Sequence, residues 1–309
     1  MERIAFLFPG QGSQKVGMAA DLFENSTAVR EIYERASEAI DVDLAALSFE
    51  GPEDELTKTI NTQPALLTAG IAAHTALLER GLTPWAVAGH SLGEYTALVA
   101  AKSLTLEDGV RAVRERGRLM YEAGLAVPGT MAAIIGLDAD AVDAVVGEAR
   151  ATGVVQAANY NAPTQIVISG EVDAVRAAMQ LATDRGARRA IELKVSGAFH
   201  SELLEDARLG MESFLSDIRF ERPQAIFIAN VTGGALDDPD EIRVRLVEQV
   251  VSPVRWVASM HTLADLGAVR AIEAGPGNVL RGLMRKIAPQ LPTAGGGSLG
   301  DIEKLMSAE

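Results

Sequence analysis

A serine flanked by glycines is the first feature of this sequence that could do chemistry. Gly89–Gly93 reads GHSLG; the short apolar run before it predicts a strand, and LGEYTALVAA after it predicts a helix. Glycine on both sides lets the backbone turn sharply, so Ser91 would stand above the end of the sheet, at the positive end of the helix. The N–H of Leu92 would then face a developing oxyanion. This context favours a nucleophile elbow over the other interpretation, a glycine-rich turn with an incidental serine.

A serine nucleophile needs a base, and the chain has only four histidines. His74 and His261 lie within helical patterns, where a packed or surface histidine is the ordinary interpretation. His90 adjoins Ser91, but neighbouring side chains on an elbow point in different directions. His200 follows a loop of small residues at the junction of two predicted lobes, and ligand clefts form at such junctions. By elimination His200 is the candidate base. No aspartate stands out as its orienting group, a role that a backbone carbonyl or an amide could also fill.

Strand and helix patterns alternate along the chain and predict an α/β fold with a mostly parallel sheet. Between residues 127 and 196 the predicted order changes to β-α-β-β-α-β, the split ferredoxin-like unit. The α/β pattern resumes afterwards. We therefore expect a larger lobe formed by residues 1–126 and 197–309, and a small ferredoxin-like lobe, residues 127–196, inserted into it.

Local signals predict where individual elements begin and end. One helix is expected from about Pro64 to a C-cap at Gly81, and another between Thr105 as N-cap and Gly124 as stop signal. The glycine-rich stretches GGALDDPD and TAGGGSLGD are expected to be surface loops.

Composition limits the classes of protein to consider. The chain has 309 residues, is 48% hydrophobic and carries a formal net charge of −14, without the basic footprint of a nucleic-acid-binding protein. It has no cysteine, which excludes disulfides, thiol nucleophiles and thiolate metal sites. The apolar run before Pro9 is too short for a signal sequence or a membrane span. We expect a cytoplasmic monomer that binds no metal, membrane or nucleic acid.

Eight short motifs follow one another along the chain. They are FPGQGSQ (Phe8–Gln14), TQPAL (Thr62–Leu66), GHSLGEY (Gly89–Tyr95), RGRLM (Arg116–Met120), NYNAPTQIVISG (Asn159–Gly170), GAFHS (Gly197–Ser201), QVVSPVRW (Gln249–Trp256) and EAGPGNVL (Glu273–Leu280). In this order they resemble the malonyl-CoA:acyl carrier protein transacylases of fatty acid synthesis and the related polyketide acyltransferase domains. The resemblance extends from the first strand to about Leu283, nearly the whole chain. It implies an acyltransferase without a cofactor, with an α/β-hydrolase-like large lobe and a ferredoxin-like insert, in agreement with the element order above.

The resemblance also implies roles for individual positions. Ser91 matches the acylated nucleophile and His200 matches its base. Gln249 matches the residue whose main-chain carbonyl holds the histidine tautomer, which supplies the missing orienting group. The backbone N–H groups of Gln11 and Leu92 match the oxyanion hole.

Other positions match the acyl-binding residues of the family. Arg116 matches the arginine that binds the free carboxylate of a malonyl group, which a planar guanidinium can hold bidentately. Spacing alone would make it one of several solvated arginines on a helix. Gln63 resembles a partner of that arginine, and Asn161 lies in a turn that resembles a wall of the acyl pocket. Phe199 is typical of malonyl-using relatives, because its ring would crowd an α-methyl group; the alternative is an ordinary core residue.

The substrates implied by the resemblance are malonyl-CoA and the phosphopantetheine thiol of acyl carrier protein. Carrier proteins are typically acidic, and so is this chain, so docking would need a local basic patch. Its candidates are equally consistent with a solvated helix end and strand edge. They are Arg185, Arg188, Arg189 and Lys194 on the small lobe, and Arg281, Arg285 and Lys286 after GPGN.

Three other functions stay open at this point. A freestanding acyltransferase of a polyketide assembly line would have nearly the same sequence. A serine hydrolase could use the same elbow, although it would not need Arg116, and the HGGG oxyanion loop of lipases is absent from the sequence. A non-catalytic module that binds carrier proteins would not need Ser91, Arg116 and His200 intact.

Overall fold

Two β-sheets organise the computed structural model, which describes residues 2–195 and 197–307. Within the described residues, six strands form a large sheet in the order β10-β9-β1-β2-β7-β8, and four form a small antiparallel sheet in the order β4-β5-β3-β6. The paired strands of the large sheet run parallel except β8, which is antiparallel to β7. The strands are β1 (Ile4–Phe8), β2 (Ala86–Gly89), β3 (Gly129–Ile135), β4 (Val155–Ala162), β5 (Gln165–Glu171), β6 (Arg189–Glu192), β7 (Ile226–Ile228), β8 (Ala235–Leu236), β9 (Arg270–Glu273) and β10 (Thr293–Gly295).

Helices pack against both faces of the large sheet. Phe6 and Phe8 of β1 belong to one buried cluster, and Ala5 and Leu7 to another, because successive side chains of a strand point to opposite faces. The helices are α1 (Ala20–Asn25), α2 (Thr27–Ile40), α3 (Leu44–Phe49), α4 (Glu53–Thr57), α5 (Thr59–Glu79), α6 (Gly93–Ala100), α7 (Leu106–Ala126), α8 (Ala139–Ala149), α9 (Val172–Asp184), α10 (Glu205–Ser216), α11 (Pro239–Gln249), α12 (Trp256–Asp265), α13 (Val279–Ile287) and α14 (Leu299–Ser307).

The predicted α/β class with a mostly parallel sheet and a second, antiparallel lobe is confirmed. The small sheet and its helices follow the predicted order, β3-α8-β4-β5-α9-β6, and they enclose a separate buried cluster. A main-chain hydrogen bond also connects the two lobes: the N–H of Tyr160 in β4 donates to the carbonyl of Val254 at 2.9 Å. The boundaries at residues 127 and 196 stay a prediction, and Ser196 itself lies outside the described residues.

Helix α5 begins five residues before the predicted start at Pro64. Proline lacks the N–H that would bond to the carbonyl of Ile60, and that loss is the reason for expecting a helix start there. Arg114 of α7 replaces the missing donor: its Nη1 lies 3.0 Å from the Ile60 oxygen. A tertiary contact therefore allows the proline inside the helix.

Helix α7 begins as predicted, since the Thr105 side chain accepts the N–H of Asp108. Its predicted stop at Gly124 is wrong, because the helix continues to Ala126. A Cβ added at Gly197 would lie 3.3 Å from the Cα of Gly124. Gly124 therefore lies at a close approach of two backbone segments within a continuing helix.

The prediction of a surface loop at TAGGGSLGD is also wrong. Residues 293–295 form the edge strand β10, and α14 begins at Leu299. A Cβ added at Gly297 would lie 1.9 Å from the oxygen of Gly275. The glycines here permit close packing beside the sheet. In GGALDDPD, the short strand β8 interrupts the expected loop. None of the described helices is both long and apolar enough to cross a bilayer.

Candidate active site

The GHSLG sequence forms a tight turn between β2 and α6. Ser91, at its centre, has φ of +52°, a left-handed conformation that is costly for any residue except glycine. A Cβ added at Gly89 would lie 1.8 Å from the oxygen of Gly93, and one added at Gly93 would lie 2.1 Å from the oxygen of Phe8. Both glycines are thus required by close backbone contacts, and the turn places the serine at the carboxyl end of the parallel strands.

Ser91 and His200 share a hydrogen bond, although 109 residues separate them. Ser91 Oγ lies 2.7 Å from His200 Nε2, and His200 Nδ1 lies 2.8 Å from the main-chain oxygen of Gln249. A carbonyl only accepts, so Nδ1 carries the proton and Nε2 is free to accept from the serine hydroxyl. Burial, together with the positive charge of Arg116, lowers the pKa of His200 to about 3. The imidazole is therefore neutral at neutral pH, with Nε2 unprotonated.

Arg116 reaches the same hydroxyl from the middle of α7. Its side chain is 1% exposed, and its Nη2 donates to Ser91 Oγ at 3.1 Å and to Gln249 Oε1 at 2.9 Å. Its Nη1 donates to Gln63 Oε1 at 2.9 Å. Among the described residues, none of the groups that accept its hydrogen bonds is a carboxylate. Buried arginines are usually paired, so this guanidinium can receive an anion from outside the chain.

A cleft of about 310 Å³ between the two lobes contains these groups. Of the other predicted residues, Gln11, Leu92, Asn161 and Phe199 line it, whereas Gln63 lies behind the lining and contacts two lining residues, Arg116 and Met120. The remaining wall is largely apolar, so an acyl chain would lose much of its contact with water on entry. Its apolar side chains include Met120, Met131, Val167, Leu193, Val195 and Leu283.

The two residues whose main-chain N–H groups are predicted to form an oxyanion hole, Gln11 and Leu92, line the same cleft as Ser91. In the described part of the chain, neither the N–H of Gln11 nor that of Leu92 donates to another group. The Gln11 side chain is held by the hydroxyl of Thr59, 3.2 Å from its Nε2. The loop after β1 and the N-cap of α6 thus each leave one main-chain donor unpaired in the lining of the cleft, and stabilisation of an oxyanion needs donors of this kind.

The other histidines do not hydrogen-bond to the Ser91 hydroxyl. His90 Nε2 lies 2.7 Å from Asn161 Oδ1, and the ring packs against Trp256. His74 is buried against Phe6 and Phe8 of β1, and His261 lies on the exposed side of α12. Of the four histidines, His200 alone bonds to the serine hydroxyl.

Sequence reasoning missed two buried polar residues beneath the elbow, Glu94 and Asn230. Asn230 accepts the N–H of Ser91 and Glu94 accepts the N–H of Asn230, at 2.7 and 2.9 Å. Burial raises the pKa of Glu94 to about 7, against the opposing effect of its hydrogen bonds and of Arg116. A charged residue inside the apolar helix LGEYTALVAA was the available signal for Glu94. Asn230 offered no such local signal.

Comparisons with known proteins agree with this geometry. The acyl transferase domain family matches residues 5–289. The malonyl CoA-acyl carrier protein transacylase of Bacillus subtilis is 46% identical over 294 residues, which cover 95% of this chain and 93% of that protein.

Solved structures show the same likeness in three dimensions. The malonyl-CoA:acyl carrier protein transacylase of Xanthomonas oryzae superposes with a TM-score of 0.96 at 43% identity, covering 100% of this chain and 98% of that one. A type II PKS acyl-carrier protein in complex with its malonyl-transacylase, PlMCAT:AntF, contains a chain with a TM-score of 0.95 at 38% identity, and both chains are covered completely.

Proposed function

This chain belongs to the acyl transferase domain family and is an acyltransferase, and on that premise we propose that it moves a malonyl group from malonyl-CoA to the phosphopantetheine thiol of acyl carrier protein. The observation that carries the proposal is the double hydrogen bonding of one hydroxyl. Ser91 Oγ lies within bonding distance of a neutral imidazole, His200, and of a buried guanidinium, Arg116. The first can remove its proton, and the second can hold a carboxylate on the acyl group.

In the first half-reaction, Ser91 Oγ attacks the thioester carbonyl while His200 Nε2 takes its proton. The main-chain N–H groups of Gln11 and Leu92 stabilise the tetrahedral oxyanion, each worth about 2.7–4 kcal/mol when well aimed. The bond to the sulfur of coenzyme A then breaks, and the imidazolium returns the proton to the leaving thiolate. The carbonyl of Gln249 orients the imidazole throughout, although it brings no charge to stabilise the imidazolium.

In the second half-reaction, the carrier thiol gives its proton to His200 and attacks the malonyl ester on Ser91. Collapse of the second tetrahedral species returns the proton to the serine oxygen and releases malonyl-carrier protein. The two substrates use the same cleft in turn, so the kinetics are ping-pong. The apolar wall supports transfer, because a thiol must react there before water does.

A serine hydrolase is the main rival, and the fate of the acyl-enzyme separates the two functions. Purified protein mixed with malonyl-CoA alone is examined by intact-mass spectrometry, with Ser91→Ala as the control. A malonyl adduct that persists on the wild type and disappears when carrier protein is added supports transfer. Rapid release of free malonate without carrier protein would contradict it.

The side chain at position 199 should affect which acyl group the enzyme prefers. Phe199 lines the cleft beside His200, so replacing its ring by a smaller side chain opens space for an α-methyl group. We expect Phe199→Ser to raise the methylmalonyl-to-malonyl ratio of kcat/KM by about tenfold, the usual effect of one methyl group in an apolar pocket. Competition between the two CoA esters for transfer measures this ratio. Phe220→Ser, a buried phenylalanine outside the cleft lining, is the control and should leave the ratio unchanged.

Exposed cations beside the cleft are the proposed docking patch for the carrier protein. Arg188 and Arg189 are exposed at the start of β6, whose following residues Leu193 and Val195 line the cleft. Neither arginine forms an ion pair among the described residues. Lys194 is also exposed, whereas Arg185 pairs with Glu148 and so contributes less free charge.

Reversing the charge of both arginines tests the patch. The double variant Arg188→Glu/Arg189→Glu should raise KM for carrier protein by about tenfold and leave KM for malonyl-CoA within about twofold, because long-range attraction acts mainly on the protein partner. Arg219→Glu/Arg222→Glu, exposed arginines on the large lobe, is the matched control. Equal effects on both substrates would reject the patch. The relative in the PlMCAT:AntF complex binds a type II PKS acyl-carrier protein, so carrier proteins of both fatty acid and polyketide synthesis belong in this assay.

A further inference from the structure

Two polar residues that the proposed reaction does not use lie directly beneath the serine elbow. Glu94, in the first turn of α6, is 1% exposed, and Asn230, two residues after β7, is fully buried. Burying a carboxylate or an amide costs free energy unless hydrogen bonds replace the lost water. The contacts of these two residues therefore show what the fold gains by burying them.

Asn230 bridges the two sides of the elbow. Its Oδ1 accepts the N–H of Ser91 at 2.7 Å, and its Nδ2 donates to the main-chain oxygen of Gly89 at 2.7 Å. Ser91 has a left-handed backbone, which persists only when the surrounding structure determines it. One side-chain amide thus bonds both the main-chain N–H of the strained residue and the main-chain oxygen two residues before it.

Glu94 holds both Asn230 and Gln249. Its Oε1 accepts the main-chain N–H of Asn230 at 2.9 Å, and its Oε2 accepts a short hydrogen bond from Gln249 Nε2. The same Nε2 donates to the oxygen of Ser91 at 3.0 Å. Both hydrogens of that amide are then used, so Gln249 Oε1 is the atom that faces Arg116, at 2.9 Å.

We propose that Glu94 and Asn230 are positioning residues, in which Asn230 fixes the serine elbow and Glu94 fixes the Gln249 amide with its oxygen toward Arg116. In its ionised form Glu94 accepts hydrogen bonds and does not donate them, so in that form it admits only the nitrogen end of the amide. Gln249 therefore separates the buried anion from the buried cation. The two charges balance each other across one side chain, and the guanidinium stays available to a carboxylate on the acyl group. This inference rests on the proposed function.

The two residues should give different kinetic signatures. Glu94→Gln places an amide against two donors, so the Gln249 amide loses its fixed orientation and can turn a nitrogen toward Arg116. We expect the malonyl-to-acetyl ratio of kcat/KM to fall by at least about tenfold, because a misplaced polar group penalises the charged acyl group most. Asn230→Ala should slow malonyl and acetyl transfer alike, by about 100-fold, because the nucleophile itself is displaced.

A matched control separates positioning from the loss of any buried carboxylate. Glu273 is 1% exposed and likewise accepts two N–H groups, those of Leu280 and Arg281, but does not contact the elbow. Glu273→Gln should lower thermal stability and keep the malonyl-to-acetyl ratio. All ratios are measured by transfer from malonyl-CoA and acetyl-CoA to the same carrier protein. A ratio within one preparation does not depend on the folded fraction.

The outcomes are distinguishable from failure of the proposed function. A wild type that transfers malonyl selectively, with an unchanged ratio in Glu94→Gln or with wild-type rates in Asn230→Ala, overturns this inference alone. A wild type without malonyl transfer overturns the proposed function. If Glu94→Gln does not fold, the exchange Glu94→Gln/Gln249→Glu restores a hydrogen bond between the two positions. It puts a carboxylate directly against Arg116, so selectivity for malonyl should be lost, and a retained selectivity would contradict the inference.

Discussion

His200→Ala should slow acylation of Ser91 by malonyl-CoA by about 10⁴-fold, the upper end of the range for a well-positioned general base. The structure explains the size of this effect. Nε2 lies 2.7 Å from the serine oxygen, and a main-chain carbonyl already holds Nδ1–H, so no reorganisation is needed before proton transfer. In the described part of the chain no other imidazole or carboxylate bonds to that oxygen and could replace the base.

Quenched-flow measurement of the malonyl adduct provides the rate. His74→Ala is the matched control, since His74 is also buried but packs against β1 away from the cleft. It should cost stability and leave the acylation rate within about threefold, as expected for a substitution remote from the site. A His200→Ala rate within tenfold of the wild type would reject the role of this histidine.

Arg116→Gln should remove the preference for malonyl over acetyl. Each charge-assisted hydrogen bond to a substrate carboxylate contributes roughly 1.5–3 kcal/mol, and a bidentate pair therefore about 10²- to 10⁴-fold in kcat/KM. Glutamine can keep a bond to a neighbouring side chain but brings no charge. We expect malonyl transfer to fall by about this factor, while acetyl transfer changes much less.

Transfer assays with both CoA esters measure the ratio, and Arg114→Gln is the control. Arg114 lies one half-turn earlier on α7 and bonds to the carbonyl of Ile60 outside the cleft. Its loss should destabilise the helix around Pro64 without altering selectivity. If the malonyl-to-acetyl ratio of kcat/KM in Arg116→Gln equals that of the wild type, the guanidinium does not recognise the carboxylate of the malonyl group.

Local patterns predicted the parts of the site that are local in the chain. The elbow around Ser91 needs a strand, two glycines and a helix within a short segment, and each of these can be recognised from a local sequence pattern. The order of the small lobe was predictable for the same reason. The glycines at 124 and 295–297 led to wrong predictions, because glycine occurs both in turns and where two backbone segments approach closely, and only the packing decides which.

Long-range contacts were harder to predict. His200 was found by elimination among four histidines and by its place at a predicted lobe junction, and no local pattern paired it with Ser91. Gln249 and Arg116 came from the resemblance, since spacing alone left Arg116 as a surface charge. The link from Asn230 to Glu94 spans 136 residues and joins a strand end to a helix interior. No periodicity connects such positions, so only the folded structure shows it.

The division between lobes has a consequence for how new acyl specificities arise. Ser91, Arg116, His200 and Gln249 come from segments outside β3–β6, whereas much of the apolar wall comes from strands within that segment or from the residues just after β6. Recombination that replaces this one contiguous stretch of gene would change the shape offered to the acyl group and leave the reacting atoms in place. The apolar part of the acyl site can therefore change separately from Arg116 and the reacting groups, which lie outside that stretch.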